Sequence, residues 1–250
     1  MTKVKKQRAD QLMVERGLAE TRSRAQALIM AGQLLCEDRP VEKAGQLLAG
    51  DASLRLRGKA HPWVSRGGVK LAGGLEHFAI DPAGLTCLDV GASTGGFTDV
   101  LLQRGAAKVY AVDVGHGQLA WGLRQDPRVI VMERCNARYL TPAEIPDTID
   151  LLVCDASFIS LTKVLPAPLS LAGPGARLIA LIKPQFEVGK GQVGKGGIVR
   201  DPALHTAVCE TIVTFLEALE GWQVIGVTES PIKGPDGNLE FLVAAERPRA

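Results

Sequence analysis

Short apolar runs alternate with helix-length segments over most of this chain. From residue 81 onward the runs at 85–90, 108–114, 129–132, 151–154 and 178–182 are each of strand length and largely apolar, the last three without interruption. That is the pattern of strands buried on both faces. The intervening segments are long enough for helices, so the pattern predicts a mostly parallel sheet covered on both sides. GWQVIGVTES and LEFLVAAE, joined through GPDGN, predict two last strands closing the sheet as a hairpin. The first sixty residues read differently. A helix over 8–16 ends at Gly17, and Thr21 caps a second in which Ala25, Leu28 and Ile29 share a face before Gly32 stops it. Arg22 and Arg24 then fall on the solvent side. QLLCEDRPVEK and SLRLRGK follow as strands, the latter with Leu54 and Leu56 opposite Arg55 and Arg57.

Two domains are expected: 1–62, a linker at 63–66 in which Trp63 is placed between the domains, and 67–250. The 250 residues, 46% of them hydrophobic, can bury a sizeable core. No apolar run is long enough to span a bilayer, and MTKVKKQRAD lacks the apolar stretch of a signal peptide, so a cytoplasmic protein without membrane contact is expected. Cys36, Cys87, Cys135, Cys154 and Cys209 form no close CxxC pair, which points away from disulfides and from a metal site. The net charge of +2 conceals an asymmetry. Residues 1–70 hold fourteen Lys or Arg and seven Asp or Glu, a charge of +7, leaving −5 for the remainder. The basic part is the expected phosphate-binding part.

The stretch RADQLMVERGLAETRSRAQALIMAGQLL resembles the S-four-type RNA-binding module. The resemblance implies a small α+β RNA-binding domain, with Arg8, Arg22 and Arg24 as RNA contacts. A helical packing module with merely solubilising arginines is the competing reading.

In LDVGASTGGFTDVLLQRG a buried strand ends at Val90 and a helix begins near Phe97. Gly91, Gly95 and Gly96 let the backbone turn and approach a ligand at the carboxyl end of a strand. The spacing is GxSxGG rather than GxGxxG, and Asp89 precedes it, which suits a cationic sulfonium ligand better than a pyrophosphate. Ser93 and Phe97 belong to the same expected S-adenosylmethionine site. Asp113, ending the next strand, is the expected acceptor for the ribose hydroxyls, and Asn136 is a candidate adenine contact.

Lys70 in SRGGVKL, Asp155 in VCDASF, Lys183 in LIKPQFE and Glu240 in NLEFL stand at element ends that converge on one sheet edge. Together they resemble the Lys-Asp-Lys-Glu tetrad of FtsJ-like RNA 2′-O-methyltransferases. With the N-terminal module, GASTGGFTD and GKGGIVRD, the whole chain resembles the haemolysin-A-like (TlyA) ribosomal RNA methyltransferases. That resemblance implies a class I (Rossmann-like) methyltransferase sheet of seven strands. It also implies S-adenosylmethionine-dependent 2′-O-methylation of cytidine in 16S or 23S ribosomal RNA, with ribosomal subunits as partners. Lys183, with Lys70 as a neighbouring cation, is expected to take the hydroxyl proton, while Asp155 and Glu240 orient the lysines. Arg66, Lys190 and Lys195 are candidate phosphate contacts, and PQFEVGKGQVGKGGIVRDP is expected as a mobile loop. A non-catalytic RNA binder and a membrane-lytic haemolysin are the rival classes. A base methyltransferase is disfavoured because DASF stands where an NPPY-type motif belongs.

Overall fold

The computed structural model describes residues 6–19, 21–30, 32–57, 61–234 and 237–249, and they form two compact units, Met1–Pro62 and Trp63–Ala250. The first runs β1 (Lys6–Arg8), α1 (Ala9–Glu15), α2 (Arg22–Met30), β2 (Leu34–Cys36), β3 (Arg39–Pro40), β4 (Leu47–Ala49) and β5 (Leu54–Leu56). Leu12, Met13, Ala25, Ile29, Leu34 and Leu48 close its core. QLLCEDRPVEK is no continuous strand. Glu37 and Asp38 take positive φ (47° and 63°), the two-residue turn that matches strand twist, so β2 folds back on β3. Glu37 accepts the Ser53 N–H and Asp38 accepts Arg55 Nε, which holds this unfavourable turn in place.

The second unit runs α3 (Gly67–His77), β6 (Thr86–Val90), α4 (Gly96–Gln103), β7 (Lys108–Asp113), α5 (Trp121–Arg124), β8 (Val129–Glu133), β9 (Ile149–Cys154), α6 (Leu161–Val164), α7 (Pro166–Ser170), β10 (Ala172–Ile182), α8 (Pro184–Glu187), α9 (Pro202–Glu217), β11 (Gln223–Glu229) and β12 (Phe241–Glu246). Its seven strands lie in the order β11-β12-β10-β9-β6-β7-β8. The pairs β8–β7, β7–β6, β6–β9 and β9–β10 are parallel, whereas β12 runs antiparallel between β10 and β11. This is the class I methyltransferase sheet expected from the sequence.

The uninterrupted apolar runs have a plain cause: alternate side chains enter two different cores. Leu88, Val112, Leu152, Cys154 and Leu178 pack on one face with Val208, Ile212 and Leu216 of α9. Cys87, Val109, Leu151, Val153 and Ile179 pack on the other with Leu71 and Leu75 of α3 and Val100 and Leu101 of α4. Spacing of four residues in α9 puts its three apolar side chains on one stripe.

Residues 63–66, expected as linker, fold into this unit instead. A Cβ on Gly68 would lie 2.4 Å from Trp63, so glycine lets the indole lie flat on α3, and the Val64 N–H donates to Asp99 Oδ2 at 2.8 Å. The glycine-rich loop also departs from expectation. It contains α8 and a 3₁₀ turn at Lys190–Gln192, and its far end is anchored by buried Val199. There buried Asn238 accepts the Val199 N–H and donates to the Gly197 carbonyl, each at 3.0 Å.

Candidate functional site

The carboxyl edge of the parallel strands carries two cavities, of about 570 and 460 Å³. They share Gly91, Ser93, Asp155, Ser157 and Phe158, so they are two ends of one cleft across the β6 and β9 strand ends. Backbone strain gathers on that shared wall, where Ser93 and Phe158 hold left-handed φ of 48° and 64°.

The larger cavity is lined by Lys70, Asp155, Lys183 and Glu240, four residues from four separate elements or their ends. They form two ion pairs. Lys70 Nζ donates to Glu240 Oε2 at 2.5 Å, with side chains 8% and 1% exposed. Lys183 Nζ stands 2.5 Å from Asp155 Oδ1, 2.8 Å from Ser157 Oγ and 3.1 Å from the Asp155 carbonyl. Each ammonium faces its own carboxylate, the arrangement that avoids leaving a buried charge unpaired. Arg66, exposed at the start of α3, donates to the Lys233 carbonyl at 2.9 Å on the same cavity. Lys195 is exposed on its loop, and the side chain of Lys190 lies outside the described residues.

The smaller cavity is lined by Asp113, Asn136, Gln118 and the backbone of Gly91 and Ser93. Asp113 ends β7, accepting the Ser93 N–H (2.8 Å) with Oδ2 and the Gly115 N–H (2.6 Å) with Oδ1. A carboxylate has about four acceptor sites, so both oxygens keep capacity for ribose hydroxyls. Asn136 uses Oδ1 to cap the 3₁₀ turn Ala137–Tyr139 at the Arg138 N–H, which leaves its amide NH₂ as the end that can serve a base. This donor set suits an adenosyl group.

Four of the expected cofactor residues do not line the smaller cavity. Gly95 lines neither cavity; its missing Cβ would lie 2.2 Å from Leu123, so glycine there makes room for protein packing at φ +93°. Gly96 and Phe97 line the larger cavity rather than the adenosyl-like one, and a Cβ on Gly96 would stand 2.3 Å from Ser65 Oγ. Asp89 is fully buried behind the wall, where Oδ2 accepts from Thr98 Oγ1 at 2.6 Å and Oδ1 has no partner. It reaches neither cavity directly.

Burial, and then the Asp155 and Asp113 carboxylates, push Asp89 up to about 7 against the Thr98 hydrogen bond. The folded chain thus holds a proton that the unfolded chain has lost between pH 4 and 7, and this group's contribution to stability falls as pH rises through that window. Asp89→Asn removes the dependence. Its melting temperature relative to the parent protein is expected to climb between pH 5 and pH 8 by the equivalent of a few kcal/mol. A difference independent of pH in thermal unfolding would refute the assignment.

In the N-terminal unit Asp10 is fully buried at the start of α1. It accepts from Arg8 Nε and Nη2 at 3.0 Å and from Arg22 Nε and Gln26 Nε2 at 2.9 Å, which holds its carboxyl far below the usual carboxylate range. Arg8 and Arg22 are thereby fixed as half-exposed guanidiniums rather than loose surface charges, while Arg24 is exposed. This arrangement is invisible in the sequence, because Asp10 looks like any solvated acid in a first helical turn. Phe158 also escaped notice. It is 89% exposed at the rim of the tetrad cavity, its ring 4.9 Å from that of Phe186. DASF offered a signal only in its odd placement of an aromatic directly after a strand. Among the described residues no cluster of metal-binding side chains occurs, and no helix is long and apolar enough to cross a membrane.

A family model described as FtsJ-like methyltransferase matches residues 63–247, and one described as S4 domain matches residues 7–52. The chain is 51% identical over 237 residues to a Mycobacterium tuberculosis protein named 16S/23S rRNA (cytidine-2′-O)-methyltransferase TlyA, covering 94% of this chain and 88% of that one. It is 39% identical to Hemolysin A of Brachyspira hyodysenteriae, covering 94% and 98%. A solved structure of a hemolysin-named protein from Streptococcus thermophilus superposes with a TM-score of 0.76 at 42% identity, covering 98% and 90%.

Proposed function

The chain belongs to the FtsJ-like methyltransferase family, and from that premise we propose that it transfers a methyl group from S-adenosylmethionine to the 2′-hydroxyl of a cytidine in ribosomal RNA. One observation carries the reading: two lysine–carboxylate pairs line a cavity continuous with one that ends in the ribose-suited carboxylate of Asp113. A methyl donor in the smaller cavity and a nucleotide in the larger would meet at Gly91, Ser93 and Asp155.

S-adenosylmethionine, when bound, supplies a methyl group on a sulfonium that leaves readily as a thioether. What the chain must add is alignment of the ribose oxygen and removal of its proton. The arriving hydroxyl replaces one of the three oxygens around Lys183 Nζ. Lys183 enters the step as the neutral amine, having released one proton to solvent; as the oxygen–carbon bond forms, the hydroxyl proton passes to that amine and restores the ammonium beside Asp155. Lys70 and Glu240 hold the opposite wall, and Arg66 and Lys233 place cations where a flanking phosphate needs them. Phe158 offers its exposed ring to a base stacked outside the helix. Arg8, Arg22 and Arg24 of the S4 domain bind RNA phosphates, and the reaction takes place in the cytoplasm. A role in membrane lysis finds no spanning helix to support it among the described residues.

Labelled methyl transfer to isolated subunits and intact ribosomes, followed by nuclease mapping, is expected to place label on a cytidine 2′-oxygen. Cofactor binding without transfer to any of these substrates would instead make the chain an RNA-binding scaffold.

A further inference from the structure

Gln185 is the unexplained polar group of the tetrad cavity. It stands on α8 directly after Lys183 and lines the same cavity, yet its enclosed Oε1 meets no donor. Leaving such an acceptor unsatisfied is costly, because it loses its hydrogen bonds to water and gains none in return. The side chain is mounted on a fixed support. Glu187, on the same short helix, accepts Ser160 Oγ at 2.6 Å and the Leu161 N–H at 2.8 Å, tying α8 to the segment that follows β9. That segment also carries Phe158, whose ring meets Phe186 of α8. An aromatic surface for a base and an unmatched amide for its edge are thus held together by one rigid unit, beside the lysine that faces the ribose.

We propose that Gln185 is the specificity-determining residue, reading the Watson–Crick edge of the target base by accepting a hydrogen bond from the 4-amino group of cytosine. This rests on the reading of the chain as a ribose methyltransferase. The cavity is otherwise rich in donors, Lys70, Lys183, Arg66 and Lys233 among them. Its carboxylates, Asp155 and Glu240, already face lysines, so Gln185 Oε1 is the unengaged acceptor left to meet an amino group. Uracil presents a carbonyl at that position, so two acceptors would face each other and discrimination follows from the unpaired groups.

The test compares ribosomal subunits carrying the mapped target cytidine with subunits carrying uridine in its place. Gln185→Met keeps the length of the side chain and removes the acceptor. It is expected to lower kcat/KM for the cytidine substrate about 10- to 100-fold, leave the uridine substrate within about threefold, and so abolish the preference. Gln185→Glu, which keeps an acceptor, should retain it. Unchanged cofactor affinity in both variants separates this from misfolding. A preference that survives Gln185→Met, or a mapped target other than cytidine, overturns the assignment while leaving ribose methylation intact. Failure of the parent protein to methylate either substrate overturns the functional reading itself.

Discussion

Lys183→Ala is expected to lower methyl transfer by about 10²–10⁴-fold, the usual worth of a positioned proton acceptor, with cofactor affinity essentially unchanged. The lysine ends β10, where strand burial on both faces fixes its backbone, and its Nζ is surrounded by three oxygens within 3.1 Å. Removing it leaves Asp155 without its cation. That carboxylate is 20% exposed, against 1% for Glu240, so the loss of stability is smaller than the one expected from breaking the Lys70–Glu240 pair. Lys183→Arg separates the possible roles of the charge. Arginine keeps a cation beside Asp155 but cannot release its proton at neutral pH, so it should be as inactive as alanine if Lys183 accepts the hydroxyl proton. Labelled methyl transfer checks rate and calorimetry checks cofactor binding. More than a tenth of parental turnover in Lys183→Arg would leave electrostatic positioning as the lysine's whole contribution.

The parallel strands were legible because doubly buried strands must be apolar at every position, and 151–154 and 178–182 show that without interruption. The glycines of GASTGG were legible as a turn but not in purpose. What a missing Cβ avoids, Leu123 for Gly95 and Ser65 for Gly96, depends on segments remote in the chain. The four charged residues were recognisable as a set from their flanking motifs, yet how they pair was hidden. Lys70 and Glu240 are 170 residues apart, and only the insertion of β12 between β10 and β11 brings Glu240 to α3. Buried Asp10 and Asn238 were missed for the same reason. Each is an ordinary polar letter whose role is set by distant partners, the arginines in one case and the 197–199 backbone in the other.

The Lys70–Glu240 pair should give the largest change in stability. Both side chains are nearly enclosed, and a Cβ on Gly234 would stand 2.6 Å from Glu240 Oε1, so the segment before β12 wraps closely around the carboxylate. Water has little access to replace a lost partner. Glu240→Ala leaves the Lys70 ammonium buried and uncompensated, a defect worth about 3–5 kcal/mol. For a unit of this size, that corresponds to a melting temperature lower by roughly 6–20 °C. Replacing both residues by methionine removes both desolvation penalties, and apolar substitutes for a whole buried pair are often neutral or stabilising. Lys70→Met with Glu240→Met is therefore expected to recover most of the lost stability while methyl transfer stays abolished. Thermal unfolding and methyl transfer on the single and double variants resolve the matter. A double variant that remains as unstable as Glu240→Ala would show that the pair holds the fold together. Recovery of stability without activity means that the pair adds little net stability to the fold and that its charges serve the reaction.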